Sequence, residues 1–305
     1  MKASKQAKPF LKWAGGKSQL LEQMEPFFPD ELVQGSIHRY VEPFVGGGAV
    51  FLHIANSYPV QEYFIFDINP ELILAYQTIQ KNVEDLILRL WNTQEQYLSL
   101  PEEERKEFFY QIRSDFNRQR QQINFETYSD AWLDRTTQLI FLNRTCFNGL
   151  FRVNGKGEFN VPFGRYKKPR ICDSDNLRSL AGILKKTHIE QGDFTQCQEI
   201  IDDQSFVYFD PPYRPISQTA NFKSYSQEVF NDQEQIRLRD FFQLLEQKGA
   251  KLLLSNSDPK NEDPSDDFFE KAYSSYRIEQ VKAARNINSQ GSKRGKINEL
   301  LIMNY

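Results

Sequence analysis

Cysteine and histidine are scarce in this chain, with three of each among 305 residues. Their placement excludes more than their number does. Cys146, Cys172 and Cys197 are an odd set at wide intervals, which suggests neither a disulfide framework nor a zinc site and fits a reducing cytoplasm. His38, His53 and His188 stand singly, so a metal-dependent mechanism has no ligand cluster to rest on. No apolar run approaches the roughly 20 residues that span a bilayer. The polar, lysine-bearing first eight residues lack the apolar core of a secretory signal. The expectation is a cytoplasmic protein with no metal and no membrane anchor. Internal repeats are absent too. What remains is an ordinary globular composition, 26% charged and 39% hydrophobic. Its length suits one large α/β domain with a substantial insertion, or two domains.

Acids are missing where bases collect. Residues 1–17 hold five lysines and no acid, residues 144–170 seven basic residues beside Glu158 alone, and residues 282–296 five basic residues and no acid. These stretches contain 17 of the 38 Lys and Arg residues, although the net charge is −3. A single stretch of this kind reads as a solvated loop. Three together predict a segregated face for a polyanion.

The first α/β unit is legible from its pattern. Residues 39–45 read as a strand, Gly46-Gly47-Gly48 as a tight turn and residues 49–56 as the start of a helix. A second strand over 62–66 ends at Asp67, and a helix over 70–81 follows with Asn69 as N-cap and proline at its first position. From 83 to 142 the character changes to helical spacing without strand alternation. That helical insertion runs into a Gly- and Asn-rich stretch, 143–169, expected to form loops and a hairpin. Strands resume at 188–193 and 206–209, and a helix over 232–247 is closed by Gly249. A strand over 250–254 is expected to end at Ser255-Asn256-Ser257, a polar acidic stretch over 258–267 to be a mobile loop, and 299–305 to be the final strand.

Three small patterns carry chemistry. Glycines between a strand and a helix let a ligand approach the backbone, and an acid about 20 residues later, here Asp67, is placed for ribose hydroxyls. The turn lacks the full G-x-G-x-x-G spacing. It suits a dinucleotide, or S-adenosylmethionine, which needs no pyrophosphate grip. Asp193-Phe194 after a strand offers an acceptor and a ring face for adenine, or else a loop acid and a core aromatic. Asp210-Pro211-Pro212-Tyr213 directly follows the buried-strand run Phe206-Val207-Tyr208-Phe209. Prolines cannot continue a ladder, so the strand end presents a carboxylate, rigid carbonyls and an aromatic ring. Those groups can hold a flat ring that bears an amine, or make a plain turn.

The order of these patterns is specific. Phe10-Leu11-Lys12-Trp13-Ala14-Gly15-Gly16-Lys17, Glu42-Pro43-Phe44-Val45-Gly46-Gly47-Gly48, Asp67, Asp193-Phe194 and Asp210-Pro211-Pro212-Tyr213 follow one another along essentially the whole chain. In this the chain resembles the Dam-type DNA adenine-N6 methyltransferases, the α-order D12 class, and within it the GATC-specific group. The resemblance implies a Rossmann-like, S-adenosylmethionine-dependent sheet with an antiparallel final strand and an inserted helical DNA-recognition domain bearing a β-hairpin. Residues 1–82 and 186–305 are then catalytic and 83–185 recognise the target. Trp13, Ala14, Gly15 and Lys17 are implied to close the cofactor site. Glu42, Pro43, Phe44, Gly46, Gly47 and Gly48 line the methionine portion, Asp67 holds the ribose, and Asp193 and Phe194 hold the adenine. Asp210, Pro211, Pro212 and Tyr213 are implied to be catalytic on an adenine flipped from double-stranded DNA.

For the DNA, the block 144–166 places an arginine among apolar neighbours, suited to bidentate reading of guanine, with exposed aromatics able to wedge into a stack. On residues alone it reads first as a basic, aromatic hairpin packed on the helical insertion. The resemblance implies Arg152 and Lys12 on guanine, Leu150 and Pro162 on bases, Phe147 as wedge where many members carry Tyr, and Asn148 on phosphate. Arg144, Asn160, Gly164, Arg165, Lys167, Lys168, Lys293 and Arg294 complete the implied contact set. It also implies a monomer from a bacterium, archaeon or phage, with a restriction endonuclease as a possible companion. Two readings from other classes stay open here: a nucleotide-dependent oxidoreductase, and a DNA-binding module without activity.

Overall fold

A computed structural model describes residues 6–214, 230–284 and 296–305. From the N-terminus its helices and strands are α1 (Leu21–Met24), α2 (Asp30–Gln34), β1 (Arg39–Glu42), α3 (Ala49–Ser57), β2 (Glu62–Asp67), α4 (Pro70–Lys81), α5 (Val83–Ser99) and α6 (Glu102–Gln119). Then follow α7 (Asp130–Thr145), α8 (Ser174–Leu184), β3 (Thr187–Gln191), β4 (Ser205–Phe209), α9 (Asp232–Glu246), β5 (Lys251–Ser257), α10 (Phe268–Ala272), β6 (Arg277–Ala284) and β7 (Lys296–Met303). The strands form one seven-stranded sheet in the order β3-β2-β1-β4-β5-β7-β6. The chain divides into two compact units, one of residues 1–16, 46–52 and 67–191, the other of 17–45, 53–66 and 192–305.

In the second unit the central strands read as continuous apolar runs because both faces are covered, as parallel strands require. All five residues of β4 are buried. β4 runs parallel to β1 and to β5, and β7 returns antiparallel between β5 and β6. The antiparallel final strand is therefore as expected. Chain order reverses between β1 and β4, and ligands of open α/β sheets bind outside the carboxyl ends of strands at such a switch point. Glu42 ends β1 and Asp210 follows β4 there. One core cluster joins Val41, Val207, Leu252 and Leu254 of the sheet to Leu238, Phe241, Phe242 and Leu245 of α9. Their i, i+3, i+4, i+7 spacing turns one stripe of α9 inward, and Asn231 caps the helix by accepting from Gln233 and Glu234 N–H.

The first unit is mostly helical. α7 is buried nearly all round, and its Arg135 is fully buried. A charge there must be paired. Arg135 Nε donates to Glu71 Oε2 at 2.8 Å, its Nη2 to Oε1 at 2.5 Å, and the guanidinium lies 3.5 Å from the Phe116 ring centroid. Phe141 packs against Tyr97, Phe108 and Phe109 of α5 and α6.

Several expectations are corrected. The strand 250–254 continues through Ser255, Asn256 and Ser257, because these residues pair with Leu301, Leu300 and Glu299 of β7. Buried polar side chains disguised that ladder. β1 stops at Glu42, short of 45, since Pro43 cannot donate to a ladder. Residues 258–267 are tied rather than loose. Asp258 is fully buried and caps a short 3-10 turn, while Asn261 exchanges two hydrogen bonds with the Asn298 backbone. β6, α8 and the two short N-terminal helices had no clear signal.

Candidate active site and nucleic-acid interface

At the end of β4 the chain leaves the sheet through Asp210-Pro211-Pro212-Tyr213, and Lys17 is buried beside it, with 2% of its side chain exposed. Its Nζ donates to Asp210 Oδ1 at 2.7 Å and to Tyr213 Oη at 3.3 Å, and lies 3.4 Å from Glu299 Oε2. Tyr213 Oη donates in turn to Glu299 Oε1 at 2.6 Å. Ser255 Oγ donates to Asp210 Oδ1 at 3.3 Å. Among the described residues, every hydrogen bond to this carboxylate falls on Oδ1. Oδ2 is left as the acceptor for a ligand.

The electrostatics follow from burial and pairing. Burial pulls the Lys17 ammonium down, but Asp210, Tyr213, Tyr208 and Glu299 outweigh it and hold its pKa well above the usual lysine value. Burial raises the Asp210 pKa, and Lys17 recovers only part of that rise. Lys17 thus lies between the side chains of Asp210 and Glu299. Tyr213 keeps part of its ring open to solvent. Behind these residues Pro212 accepts from Gln235 Nε2, Tyr208 Oη pairs with Ser255, and Tyr40 Oη donates to the buried Glu42.

In the same unit, Phe194 is buried with its ring 5.4 Å from that of Phe44. Asp193 is held by both terminal nitrogens of Arg237, at 2.9 and 2.7 Å, and by Thr195. Arg237 leads in pulling its pKa down to about 2. Three of these bonds fall on Oδ1 and one on Oδ2. A carboxylate has about four lone-pair sites, two on each oxygen, so Oδ2 can still accept from an amine.

In the first unit the glycine turn is closed by Trp13 and Tyr76. Gly46 and Gly48 have φ of 47° and 69°. A Cβ on Gly46 would lie 2.9 Å from the Trp13 ring, and one on Gly48 2.6 Å from Tyr76 Oη. The glycines are thus needed for this packing as much as for backbone access. Asp67 pins the turn, accepting from Gly46 N at 3.0 Å and from Asn69 N at 2.9 Å. Burial outweighs these bonds and leaves its pKa raised. Ala14 and Gly15 are exposed in the tight turn 13–16, closed by the Gly16 N–H to Trp13 carbonyl bond.

The basic block in this unit is a short hairpin, bridged at Val153–Phe159 and Cys146–Phe163. It packs and it presents. Phe159 is buried against Phe116 and Phe151, and the Trp13 ring stacks on Phe151 at 5.4 Å. Arg152 is exposed, with Nε donating to Asn160 Oδ1 at 2.7 Å, and Phe147 is 53% exposed. Asn148 and Arg165 adopt positive φ. Pro162, Lys167 and Lys168 are exposed, whereas Leu150 and Gly164 are half-buried. Arg144 turns inward to the Phe10 carbonyl. Lys293 and Arg294 lie outside the described residues.

Four residues that hold these groups escaped sequence reasoning: Asn143, Arg237, Ser255 and Glu299. Asn143 accepts from Lys12 N and donates to the Lys12 and Gly149 carbonyls, fixing Lys12 beneath the hairpin. Each lies far in sequence from its partner motif, and a lone Asn, Arg, Ser or Glu carries no pattern. Among the described residues no group of three or more His, Cys, Asp or Glu could hold a metal, and no helix is long and apolar enough to cross a membrane.

Comparison with known proteins agrees with the order of the motifs. The family model for D12 class N6 adenine-specific DNA methyltransferases matches residues 13–287. Among similar proteins, the type II methyltransferase M.MjaIII of Methanocaldococcus jannaschii is 48% identical over 98% of this chain and 100% of its own. The type II methyltransferase M1.LlaDCHI of Lactococcus lactis subsp. cremoris is 38% identical, covering 98% of this chain and 95% of its own. The DNA adenine methylase of Escherichia coli K12 is 33% identical, covering 98% and 96%.

Proposed function

Because the chain belongs to the D12 class N6 adenine-specific DNA methyltransferase family, we propose that it methylates N6 of an adenine flipped out of double-stranded DNA, in GATC, with S-adenosylmethionine as donor. The observation that carries this reading is the division of labour at Asp210, whose Oδ1 is held by Lys17 and Ser255 while Oδ2 remains an acceptor. Family membership removes the oxidoreductase and the purely DNA-binding alternatives.

The exocyclic amine of adenine is a poor nucleophile, since its lone pair is delocalised into the ring. Asp210 Oδ2 and the Pro211 carbonyl each accept one N6–H, which draws the protons out of the ring plane and localises the lone pair. Tyr213 supplies a stacking face for the base once it has left the duplex. Most of the acceleration is then positioning and electrostatics. Asp210 need not be a strong base, because the N6 proton becomes acidic only when the new bond has formed.

The residues present fit the donor. Bound S-adenosylmethionine supplies a sulfonium methyl with a good leaving group. The two acids beside Lys17, Asp210 and Glu299, suit a cation. Asp67 is assigned the ribose, Asp193 Oδ2 and the Phe194 ring the adenine, and Trp13, Ala14, Gly15, Glu42, Pro43, Phe44 and Gly46 to Gly48 the methionine end. Residues 83–185 are assigned target recognition. There Arg152 and Lys12 read guanine, Phe147 fills the gap left by the base, and Asn148, Arg165, Lys167 and Lys168 hold phosphates.

The test is transfer of labelled methyl groups to GATC and scrambled duplexes, with Asp210→Ala in parallel. Label in GATC alone, abolished by Asp210→Ala while donor binding persists, is expected. Equal label in both duplexes removes the GATC assignment, and near-normal turnover by the variant removes the amine-activation mechanism.

A further inference from the structure

Glu299 belongs to no motif, yet it touches two groups of the site. Its side chain is 5% exposed in β7, where its backbone is paired to Ser257 of β5 on one side and Val281 of β6 on the other. A carboxylate in such a place is costly unless it is paired, and an apolar residue would serve the sheet as well or better. Tyr213 stands in a loop beyond two prolines, outside the sheet. Among the described residues its hydroxyl has two partners, Lys17 at 3.3 Å and Glu299 at 2.6 Å. Only the Glu299 bond joins it to a strand held on both edges.

We propose that Glu299 is a positioning residue for methyl transfer: it anchors the Tyr213 ring by its hydroxyl and holds Lys17 between itself and Asp210. The proposal rests on the reading of Asp210 and Tyr213 as the groups that receive the target adenine. Ring and carboxylate then keep one mutual arrangement when a base arrives. Without Glu299, the ring keeps only the Lys17 ammonium, 5.0 Å from its centroid, and Lys17 shifts fully to Asp210. Small losses of alignment between reacting groups cost rate rather than ground-state affinity.

The experiment uses the full chain, unmethylated plasmid DNA (so that no recognition sequence is presumed) and tritiated S-adenosylmethionine. It reads kcat, the KM for each substrate and the thermal midpoint. Glu299→Ala is expected to lower kcat about thirtyfold with the donor KM within about twofold, whereas Glu299→Gln, which still accepts from Tyr213, loses less than about fivefold. Tyr213→Phe should resemble Glu299→Ala, and the double variant should be no worse than Glu299→Ala alone. An unimpaired Glu299→Ala, equal losses in the Ala and Gln variants, or additive losses in the double variant overturn the proposal. Should Glu299→Ala not fold, Tyr213→Phe against Glu299→Gln decides: the Phe variant must be the slower. Asp210→Ala separates the two readings. If it stays active, the site assignment itself fails. If it is inactive while Glu299→Ala turns over normally, only the role of Glu299 fails.

Discussion

Lys17 and Asp210, 193 residues apart, meet at 2.7 Å with the lysine almost wholly buried. Truncating one partner of a buried pair leaves the other charge uncompensated, which costs about 3–5 kcal/mol when both are fully enclosed. Asp210 keeps about a fifth of its side chain exposed (21%), so Lys17→Met should cost less, roughly 2–3 kcal/mol. Denaturant unfolding measures this. Adding Asp210→Asn should restore part of the stability, since Glu299 still lacks its cation, and none of the transfer. Failure of the double variant to regain stability would show that Lys17 stabilises the fold through other contacts.

The pH response follows from two carboxylates pushed in opposite directions. Asp210 has a raised pKa because burial outweighs Lys17. In the proposed mechanism the ionised form is the acceptor, so kcat should fall as pH drops through a value above the ordinary aspartate pKa of about 3.9. For stability the sign is reversed. The folded state binds this proton more tightly than the unfolded state, so its contribution decreases as pH rises between the unfolded and folded values. Asp193, lowered to about 2 chiefly by Arg237, contributes stability that is present above the unfolded pKa and lost as pH falls toward about 2. Acid titration of Arg237→Ala should lack that last step. A kcat profile flat down to the ordinary aspartate range would exclude Asp210 as the titrating acceptor.

Phe147 shows 53% of its surface to solvent in the turn after α7. Removing so exposed a ring should leave stability within about 0.5 kcal/mol. If it fills the space vacated by the base, Phe147→Ala should weaken flipping by at least severalfold. A duplex with 2-aminopurine at the target reports this directly as lost fluorescence gain. Unchanged fluorescence would return Phe147 to the class of incidental surface aromatics.

Much of this was legible along the chain, and the part that was not has a common cause. Asp67, Asp210 and the glycine turn follow or end strands whose apolar runs advertise themselves, and the family pattern orders them. The helical span from 83 shows in its spacing. Ser255 was missed because a strand that carries buried polar residues does not look like one, and Glu299 because nothing in the sequence marks an acid at the start of an expected strand as buried. Ser255-Asn256-Ser257 resembled a turn, and β6 (Arg277 to Ala284) mixes charge and apolar residues at a sheet edge. Asn143 looked like the first residue of a polar loop, although it lies in the last turn of α7 and clamps two chain segments. Partners of this kind are chosen by tertiary placement, which neither period nor propensity records.

Arg152 is aimed by Asn160, whose Oδ1 accepts from the guanidinium Nε at 2.7 Å. That bond leaves the two terminal nitrogens uncommitted, as the proposed bidentate reading of a guanine edge requires. Arg152→Ala should relax discrimination at one base pair by about 1–3 kcal/mol while leaving the other positions nearly unchanged. Asn160→Ala keeps the charge and loses the aim. It should therefore bind DNA with a similar salt dependence but lose part of the same discrimination. Methylation of a library of single-base variants of the site separates the two effects. If Arg152→Ala lowers transfer uniformly across the library, the side chain contacts phosphate, and the guanine must be read from elsewhere, with Lys12, clamped by Asn143, as the next residue to change.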